Sequence, residues 1–329
     1  MMNRTQTALI GNSEAMQRIR KEADIAARIE VSVLIEGETG CGKELVASLI
    51  HQLSRREGKL VAVNVSAIPE SIFEAEMFGH RRGAFTGAAF DRIGHVKEAQ
   101  RGTLFLDEIS SLALSSQVKL LRVLETGRVR PLGGNGEEAI NFRVVAASNA
   151  DLVAETQAGR FRADLFHRLC EWRIFLPPLR ERPDDIAPLT QSFLEELRQS
   201  GTHATLSAGV IGLLAAQAWP GNIRQLRHTI RRAAFMAEGH VISQSTITLA
   251  LAHGTPPMGV PAVAPPRVDI RIHEFVKLLE SVQWDTATAA ARLGVTRKTI
   301  YARLQKYGLE IPGKHQRRVF DIAYESGAA

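Results

Sequence analysis

Residues 31–44 decide the fold, and they read Val-Ser-Val-Leu-Ile-Glu-Gly-Glu-Thr-Gly-Cys-Gly-Lys-Glu. The apolar run at 31–36 predicts a buried strand, and residues 44–53 have the pattern of a helix. A glycine-rich loop between a strand and a helix, ending in lysine, is the context in which backbone amides bind phosphate groups. The loop residues are Gly37, Glu38, Thr39, Gly40, Cys41, Gly42 and Lys43.

The chemistry of this loop suits a nucleotide. Glycines let backbone amides point inward around phosphate oxygens, and the N-terminus of the following helix adds partial positive charge. Lys43 supplies a point charge for the outer phosphates. The pattern usually ends in serine or threonine, whose hydroxyl binds Mg²⁺, but Glu44 stands there. We therefore expect ATP as the ligand, with Mg²⁺ held by another carboxylate, the nucleotide and water.

A second strand supplies that carboxylate. Residues 103–108 read Thr-Leu-Phe-Leu-Asp-Glu, an apolar strand that ends in two acids. Asp107 is expected to hold Mg²⁺, directly or through water. Glu108 is expected to orient and deprotonate the attacking water. Together with the glycine loop, the two acids predict phosphoryl transfer to water.

Strand and helix patterns alternate along the first half of the chain, which predicts an α/β fold with a parallel sheet covered on both faces. After Pro177 and Pro178 the strand signals stop, so we expect a helical subdomain to follow. The strand patterns lie at 31–36, 60–65, 103–106 and 142–147. The helical patterns include 44–53, 117–124, 186–197, 208–217 and 223–237.

A proline-rich stretch marks the clearest boundary. Residues 253–266 hold five prolines and no charged side chain, which is typical of a semi-extended linker. The predicted segments are an α/β nucleotide-binding part at 1–176, a helical lid at 177–252, the linker at 253–268, a small all-α DNA-binding domain at 269–310, and a basic tail at 311–329.

The composition of the chain argues against a membrane protein and against a protein held together by disulfides. The 329 residues contain no apolar run long enough to enter a membrane. Two cysteines, Cys41 and Cys170, lack metal-ligand spacing and form no disulfide framework, so we expect a cytoplasmic protein. The net charge of +6 is concentrated near the end, where residues 267–318 hold 11 basic and 5 acidic side chains. Localised basicity favours a nucleic-acid contact.

That basic segment has the pattern of a helix–turn–helix. Residues 286–295 are alanine-rich up to a turn at Gly294, and residues 296–306 form a second helical pattern. Ile300 and Leu304 are expected to pack inward, because they lie four residues apart. A helical interaction module without DNA contact is the alternative. The residues expected to face DNA are Thr296, Arg297, Lys298, Thr299, Tyr301, Arg303 and Lys306.

From about Ile10 to Tyr307 the chain resembles the sigma-54 transcription activators, a branch of the AAA+ ATPases. Residues 83–88, between the phosphate loop and the paired acids, match the signature loop of that family. The resemblance implies a helical lid, a Fis-type DNA-binding end and a loop that engages sigma-54, mainly through Phe85 and Thr86. The signature residues are Gly83, Ala84, Phe85, Thr86, Gly87 and Ala88.

The same resemblance assigns further roles. Asn64 is similar to the switch asparagine that pairs with Glu108, and Asn149 is similar to the residue that senses nucleotide state. Arg162 and Arg168 match arginines that reach the nucleotide of a neighbouring subunit; local ion pairs with Asp164 or Asp151 are the alternative. The residues matched to the adenine pocket and the lid sensor are Ile10, Gly11, Ile223 and Arg224. Departures from the family pattern include Cys41, Val65, Ser66, Arg101 and Gln225.

Arginines acting between subunits imply a ring, and the resemblance implies a hexamer. The expected partners are the sigma-54 RNA polymerase holoenzyme and upstream activating DNA. The nucleotide-binding part begins almost at the first residue, as in short activators without a receiver domain, which favours control by abundance or by a partner protein. The competing interpretations are a DNA-binding AAA+ regulator acting on a different target, a general AAA+ remodeller, and a small-molecule kinase.

Overall fold

The computed structural model describes residues 9–85, 87–253, 279, 281–282, 284–293, 297, 300–301 and 304. The chain divides into two compact units, residues 1–258 and 259–329. Their boundary falls inside the segment predicted to be a linker, most of which lies outside the described residues. No helix in the described part of the chain is long and apolar enough to cross a membrane.

The elements of the larger unit alternate between strands and helices in its first two thirds. The strands are β1 (Val33–Glu36), β2 (Leu60–Asn64), β3 (Gly79–His80), β4 (Arg92–Ile93), β5 (Thr103–Asp107), β6 (Arg128–Val129), β7 (Glu138–Ala139), β8 (Arg143–Ser148), β9 (Trp172–Phe175), β10 (Thr205–Leu206) and β11 (Val241–Ile242). The helices are α1 (Glu14–Ile29), α2 (Lys43–Ser54), α3 (Glu70–Phe78), α4 (His95–Glu98), α5 (Leu114–Thr126), α6 (Leu152–Gln157), α7 (Ala163–Leu169), α8 (Ile186–Gln199), α9 (Val210–Ala215), α10 (Asn222–Met236) and α11 (Gln244–Ala252).

Five strands form the central sheet in the order β2-β5-β8-β1-β9, and every pair is parallel. The predicted α/β class is confirmed. Strand β1 lies inside this parallel sheet. The loop that follows it therefore opens at the carboxyl edge, where ligands of parallel sheets bind. The register pairs Asn64 with Asp107 and Glu36 with Ser148, so the ends of four strands meet at that edge.

Each face of the sheet is covered by its own apolar cluster. Helices α1 and α2 cover one face, where Ile19, Val46 and Phe105 are buried. Helices α3 to α7 cover the other face around Leu104 and Leu120. The strands are apolar on both faces for this reason, and the sheet edge is held rigid beneath the candidate site.

Helices α8 to α11 form the lid around a third cluster that contains the buried Trp219, whose indole nitrogen donates to the Leu214 carbonyl at 2.8 Å. Two expectations about strands were wrong. The edge strand β9 was not predicted, because only Ile174 among its residues is buried. The lid also contains a parallel pair, β10 and β11, in which each strand has two residues and is too short to give a pattern.

The second unit is described only in part. Helix α12 spans Thr286–Leu293, and Asp285 caps it by accepting the backbone amides of Ala287 and Thr288, each at 3.2 Å. Ile300 and Leu304 are buried, which confirms the prediction that they pack inward.

Candidate nucleotide site and signature loop

The phosphate loop is closed by its own lysine. Lys43 is buried, and its ammonium group donates to the carbonyls of Gly37 at 2.7 Å and Glu38 at 3.2 Å. Gly40 has φ +78°, and a Cβ there would lie 2.6 Å from the Gly221 carbonyl oxygen. Only glycine fits this approach between loop and lid. Glu44 is exposed on the first turn of α2.

The strand ends bring the predicted acids beside this loop. Asp107 ends β5 and Glu108 follows it directly, and the Asp107 carboxylate accepts the Glu108 amide at 3.0 Å. Asn149 follows β8, and its side-chain amide donates to the Thr39 hydroxyl at 3.3 Å. The structure therefore gathers the predicted groups from three strands at one edge.

Asn64 and Glu108 were expected to pair directly, but among the described residues a third side chain lies between them. The Ser66 hydroxyl is 2.7 Å from the Asn64 amide oxygen and 2.5 Å from the Glu108 carboxylate. In the sequence, Ser66 stands out only as a departure from the family pattern.

The lid contacts the loop through side chains that the sequence analysis missed. Glu38 receives two hydrogen bonds from the Arg180 guanidinium, at 2.6 and 2.9 Å, and one from the Asn222 amide at 3.0 Å. The Arg180 hydrogen bond lowers the pKa of Glu38, and burial opposes it. The backbone amides of Ile223 and Arg224 approach the Gly40 carbonyl at 3.0 and 3.4 Å.

The predicted adenine-pocket residues lie together. Ile10 and Ile223 both pack against the apolar cluster of the lid. A Cβ at Gly11 would lie 2.8 Å from the Asp185 carboxylate, so the backbone of Gly11 sits directly on that side chain. Asp185 is fully buried and accepts the amide and the hydroxyl of Ser13, both at 2.8 Å.

The buried Arg182 continues this contact into the phosphate loop. Its guanidinium donates to the Cys41 carbonyl at 2.7 Å and lies 3.9 Å from the Asp185 carboxylate. Sequence reasoning missed Arg182 and Asp185, because their partners are more than 140 residues away. The sequence did contain one signal for this pair: Arg182 and Asp185 lie three residues apart, directly before helix α8.

Arg162 and Arg168 were expected to reach the nucleotide of a neighbouring subunit. In the structure both bond to groups of their own chain. The Arg162 guanidinium forms two hydrogen bonds with Asp164, at 3.0 and 2.6 Å. Arg168 donates to the Leu124 carbonyl at 3.0 Å and pairs with Glu171 at 2.8 Å. Because these side chains are 42 and 43% exposed, the ion pairs are solvent-screened and weak.

The signature loop has an exposed aromatic tip. Phe85 is 41% exposed and contacts the His80 ring edge to face, with ring centroids 5.0 Å apart. The Gly83 amide donates to the Ala88 carbonyl at 2.9 Å, which closes the loop at its base. Phe90, just beyond, is 80% exposed. Thr86 lies outside the described residues.

Two of the residues predicted to face DNA are described. Arg297 is exposed, and Tyr301 is 53% exposed, whereas Ile300 and Leu304 are buried. The others, Thr296, Lys298, Thr299, Arg303 and Lys306, lie outside the described residues.

A phosphate loop, a strand ending in two acids and a helical lid that contacts the loop together define the AAA+ class. Residues 9–175 match the model of the sigma-54 interaction domain, and the chain belongs to that family. Residues 180–261 match the AAA+ ATPase lid domain, and residues 276–307 match the Fis family of bacterial regulatory proteins.

Similar proteins of known name are transcription regulators. The anaerobic nitric oxide reductase transcription regulator NorR of Escherichia coli O157:H7 is 50% identical over 235 residues, which cover 70% of this chain and 47% of NorR. The C4-dicarboxylate transport transcriptional regulatory protein DctD of Rhizobium meliloti is 41% identical over 313 residues, covering 92% of this chain and 64% of DctD. The chain thus spans about half to two thirds of the length of these relatives.

The solved structure of NtrX from Brucella abortus in complex with ADP is also similar. Its TM-score is 0.68 at 27% identity, and the match covers 92% of this chain and 70% of that chain. A second NtrX structure, in complex with ATP, matches with the same TM-score.

Proposed function

We propose that this protein hydrolyses ATP to remodel sigma-54 RNA polymerase from the closed to the open promoter complex. The observation that carries the proposal is the path from the paired acids to the signature loop. Glu108 bonds to Ser66, the chain continues from there through α3, and α3 leads directly into β3 and the loop with Phe85 at its tip.

The nucleotide end of this path has the groups that hydrolysis needs. Lys43 and the loop amides would hold the phosphates, and Asp107 would hold Mg²⁺, which neutralises charge on the phosphates when bound. Glu108 would take the proton of the attacking water.

The far end of the path has the character of a protein contact. Phe85, Phe90 and Ile93 are exposed apolar side chains within nine residues of each other. Neighbouring exposed apolar side chains mark interaction sites. Sigma-54 is the partner that the family match supports.

Assembly and DNA binding complete the proposal. Arg162 and Arg168 would exchange their weak local partners for the nucleotide of the next subunit in a hexamer. The exposed Arg297 and Tyr301 would face upstream DNA, with the second helix of the helix–turn–helix, predicted at 296–306, in the major groove. We infer a cytoplasmic protein whose activity a partner protein can regulate.

The test measures ATP hydrolysis and open-complex formation together on a sigma-54 promoter. Phe85→Ala should hydrolyse ATP at the wild-type rate and open no promoter, because Phe85 is an exposed side chain at the loop tip and is not among the groups assigned to the nucleotide. Phe235→Ala removes an exposed aromatic ring from the lid helix α10, outside the proposed contact surface, and serves as the matched control. If the wild-type protein hydrolyses ATP but opens no promoter at any protein concentration, the protein is instead a DNA-binding AAA+ regulator with a different target.

A further inference from the structure

The hydroxyl group of Ser66 lies between two acceptors. Its oxygen is 2.5 Å from the Glu108 carboxylate and 2.7 Å from the Asn64 amide oxygen. The backbone amide of Ser66 donates to the same Asn64 oxygen at 3.0 Å. That bond fixes the amide orientation, so it is the oxygen of Asn64 that faces the hydroxyl.

A serine hydroxyl has one proton and can donate it to one acceptor at a time. The carboxylate is charged and therefore the stronger acceptor of the two. While Glu108 is present, the proton points to it. When Glu108 moves away, the hydroxyl can rotate to Asn64, so no donor is left unpaired and no backbone movement is needed.

The position of the Glu108 carboxylate depends on this hydroxyl. The backbone of Glu108 is in the left-handed region at φ +56°, and its carbonyl accepts the Ser111 hydroxyl at 2.7 Å. These two features fix the backbone but leave the side chain free to turn. While the Glu108 carboxylate accepts this hydrogen bond, the side chain has to give the bond up before it can turn toward a water molecule.

We propose that Ser66 is a positioning residue that holds Glu108 away from the attacking water and releases it by turning its proton to Asn64. The inference rests on the proposed function, because it takes Glu108 as the residue that activates water. It also makes Ser66 the link through which Asn64 acts on Glu108. Without the Asn64 oxygen, no second side-chain acceptor among the described residues competes for this proton, so Glu108 is held more firmly.

The test compares steady-state ATP hydrolysis in full-length variants. Ser66→Ala should raise kcat about threefold to tenfold, the factor that one ordinary net hydrogen bond supplies, with KM for ATP within about twofold. Ser66→Thr keeps the hydroxyl and should restore the wild-type kcat. Ser115→Ala removes an exposed hydroxyl that bonds to Glu70, outside the groups assigned to the nucleotide, and should leave kcat unchanged. Ser66 is exposed, so thermal unfolding should be unaltered in all three.

Asn64→Ala gives a second, independent measurement. It should lower kcat in the wild-type background and have no effect in Ser66→Ala, since the competing proton is then absent. An unchanged or lowered kcat in Ser66→Ala, or equal effects of Asn64→Ala in both backgrounds, overturns the inference.

Glu108→Ala separates the two levels of failure. If Glu108→Ala is inactive and Ser66→Ala behaves as wild type, the role of Ser66 alone is wrong. If Glu108→Ala still hydrolyses ATP at the wild-type rate, the proposed role of Glu108 is wrong and the role of Ser66 falls with it.

Discussion

The side-chain amide of Asn222 donates to the Glu38 carboxylate at 3.0 Å and thereby joins the helical lid to the phosphate loop. The same amide group donates to the Thr39 carbonyl at 3.1 Å and accepts the buried Leu179 amide at 2.7 Å. Asn222 is fully buried with φ +51°, a conformation that asparagine tolerates better than most residues. One side chain thus links the start of the lid, its sensor helix and the nucleotide site.

Replacing Asn222 by alanine should lower the free energy of unfolding by about 2–4 kcal/mol, because it leaves the Leu179 amide buried without an acceptor and strains the left-handed backbone. Urea unfolding measures this loss. Asn222→Asp keeps the acceptor and the backbone preference but places a buried carboxylate against Glu38 and the Thr39 carbonyl. At pH 7 it should therefore be at least as unstable as Asn222→Ala and bind ATP more weakly than wild type. An unfolding midpoint of Asn222→Ala equal to wild type would contradict the account.

The Arg180–Glu38 pair should make stability depend on pH in a specific direction. Arg180 lowers the pKa of Glu38 below its ordinary 4.5 in the folded chain. The stabilisation is therefore present above that value and is lost as the pH falls below it. The difference in unfolding free energy between wild type and Arg180→Gln should be below about 1 kcal/mol at pH 7, since both groups are partly exposed, and shrink toward zero as the pH falls below 4.5.

A matched pair elsewhere isolates the role of Arg180 at the nucleotide site. Arg198 pairs with Glu195 on the surface of the lid and lowers the pKa of Glu195 to about 2. Arg198→Gln should lose stability at neutral pH in the same way, without any change in ATP affinity. Arg180→Gln should also weaken ATP binding, because it frees Glu38 within the loop. Equal ATP affinity in the two variants would show that the Arg180 contact is structural only.

The trans action of Arg162 can be tested by mixing two inactive proteins. Lys43→Ala should fail to bind ATP but keep its arginines, and Arg162→Ala should bind ATP but lack the group expected from its neighbour. In mixed rings, a Lys43→Ala subunit can present Arg162 to an intact site next to it. ATP hydrolysis should therefore recover on mixing to a fraction of the wild-type rate. No recovery at any mixing ratio, with mixed assemblies shown by sedimentation, would favour the local Asp164 pair as the role of Arg162.

The sequence was sufficient for features whose signal is local. The glycine loop, the two acids after β5 and the apolar strands are contiguous patterns, and their place at one sheet edge follows from parallel strands. The strand β9 was not predicted, because it is an edge strand with three of its four side chains partly or fully exposed.

The contacts between the lid and the phosphate loop could not be predicted from the sequence and were found only in the structure. Asn222 contacts Glu38 across 184 residues, and Arg182 contacts Cys41 across 141. A single sequence has no period or spacing that reports such contacts. Ser66 was visible as a departure from the family pattern, but its bond to Glu108 depends on where two separate strands end.

The thiol of Cys41 should be inert although it lies in the phosphate loop. Its side chain is 1% exposed and packs in the apolar cluster under α1 and α2. Burial raises its thiol pKa above the ordinary 9.0, outweighing the nearby Lys43 and Arg182. Because the thiolate is the reactive form, little of it exists at neutral pH.

Cys170→Ser leaves Cys41 as the sole thiol of the chain, since the sequence has two cysteines. Iodoacetamide should label this variant slowly at pH 7.5 and rapidly in urea, because unfolding removes both the burial and the raised pKa. Its ATP hydrolysis should be unchanged by peroxide at concentrations that oxidise exposed thiols. Loss of hydrolysis together with consumption of the Cys41 thiol in the native variant would instead make the loop a redox-sensitive element, and the local structure would then have to open often enough to expose it.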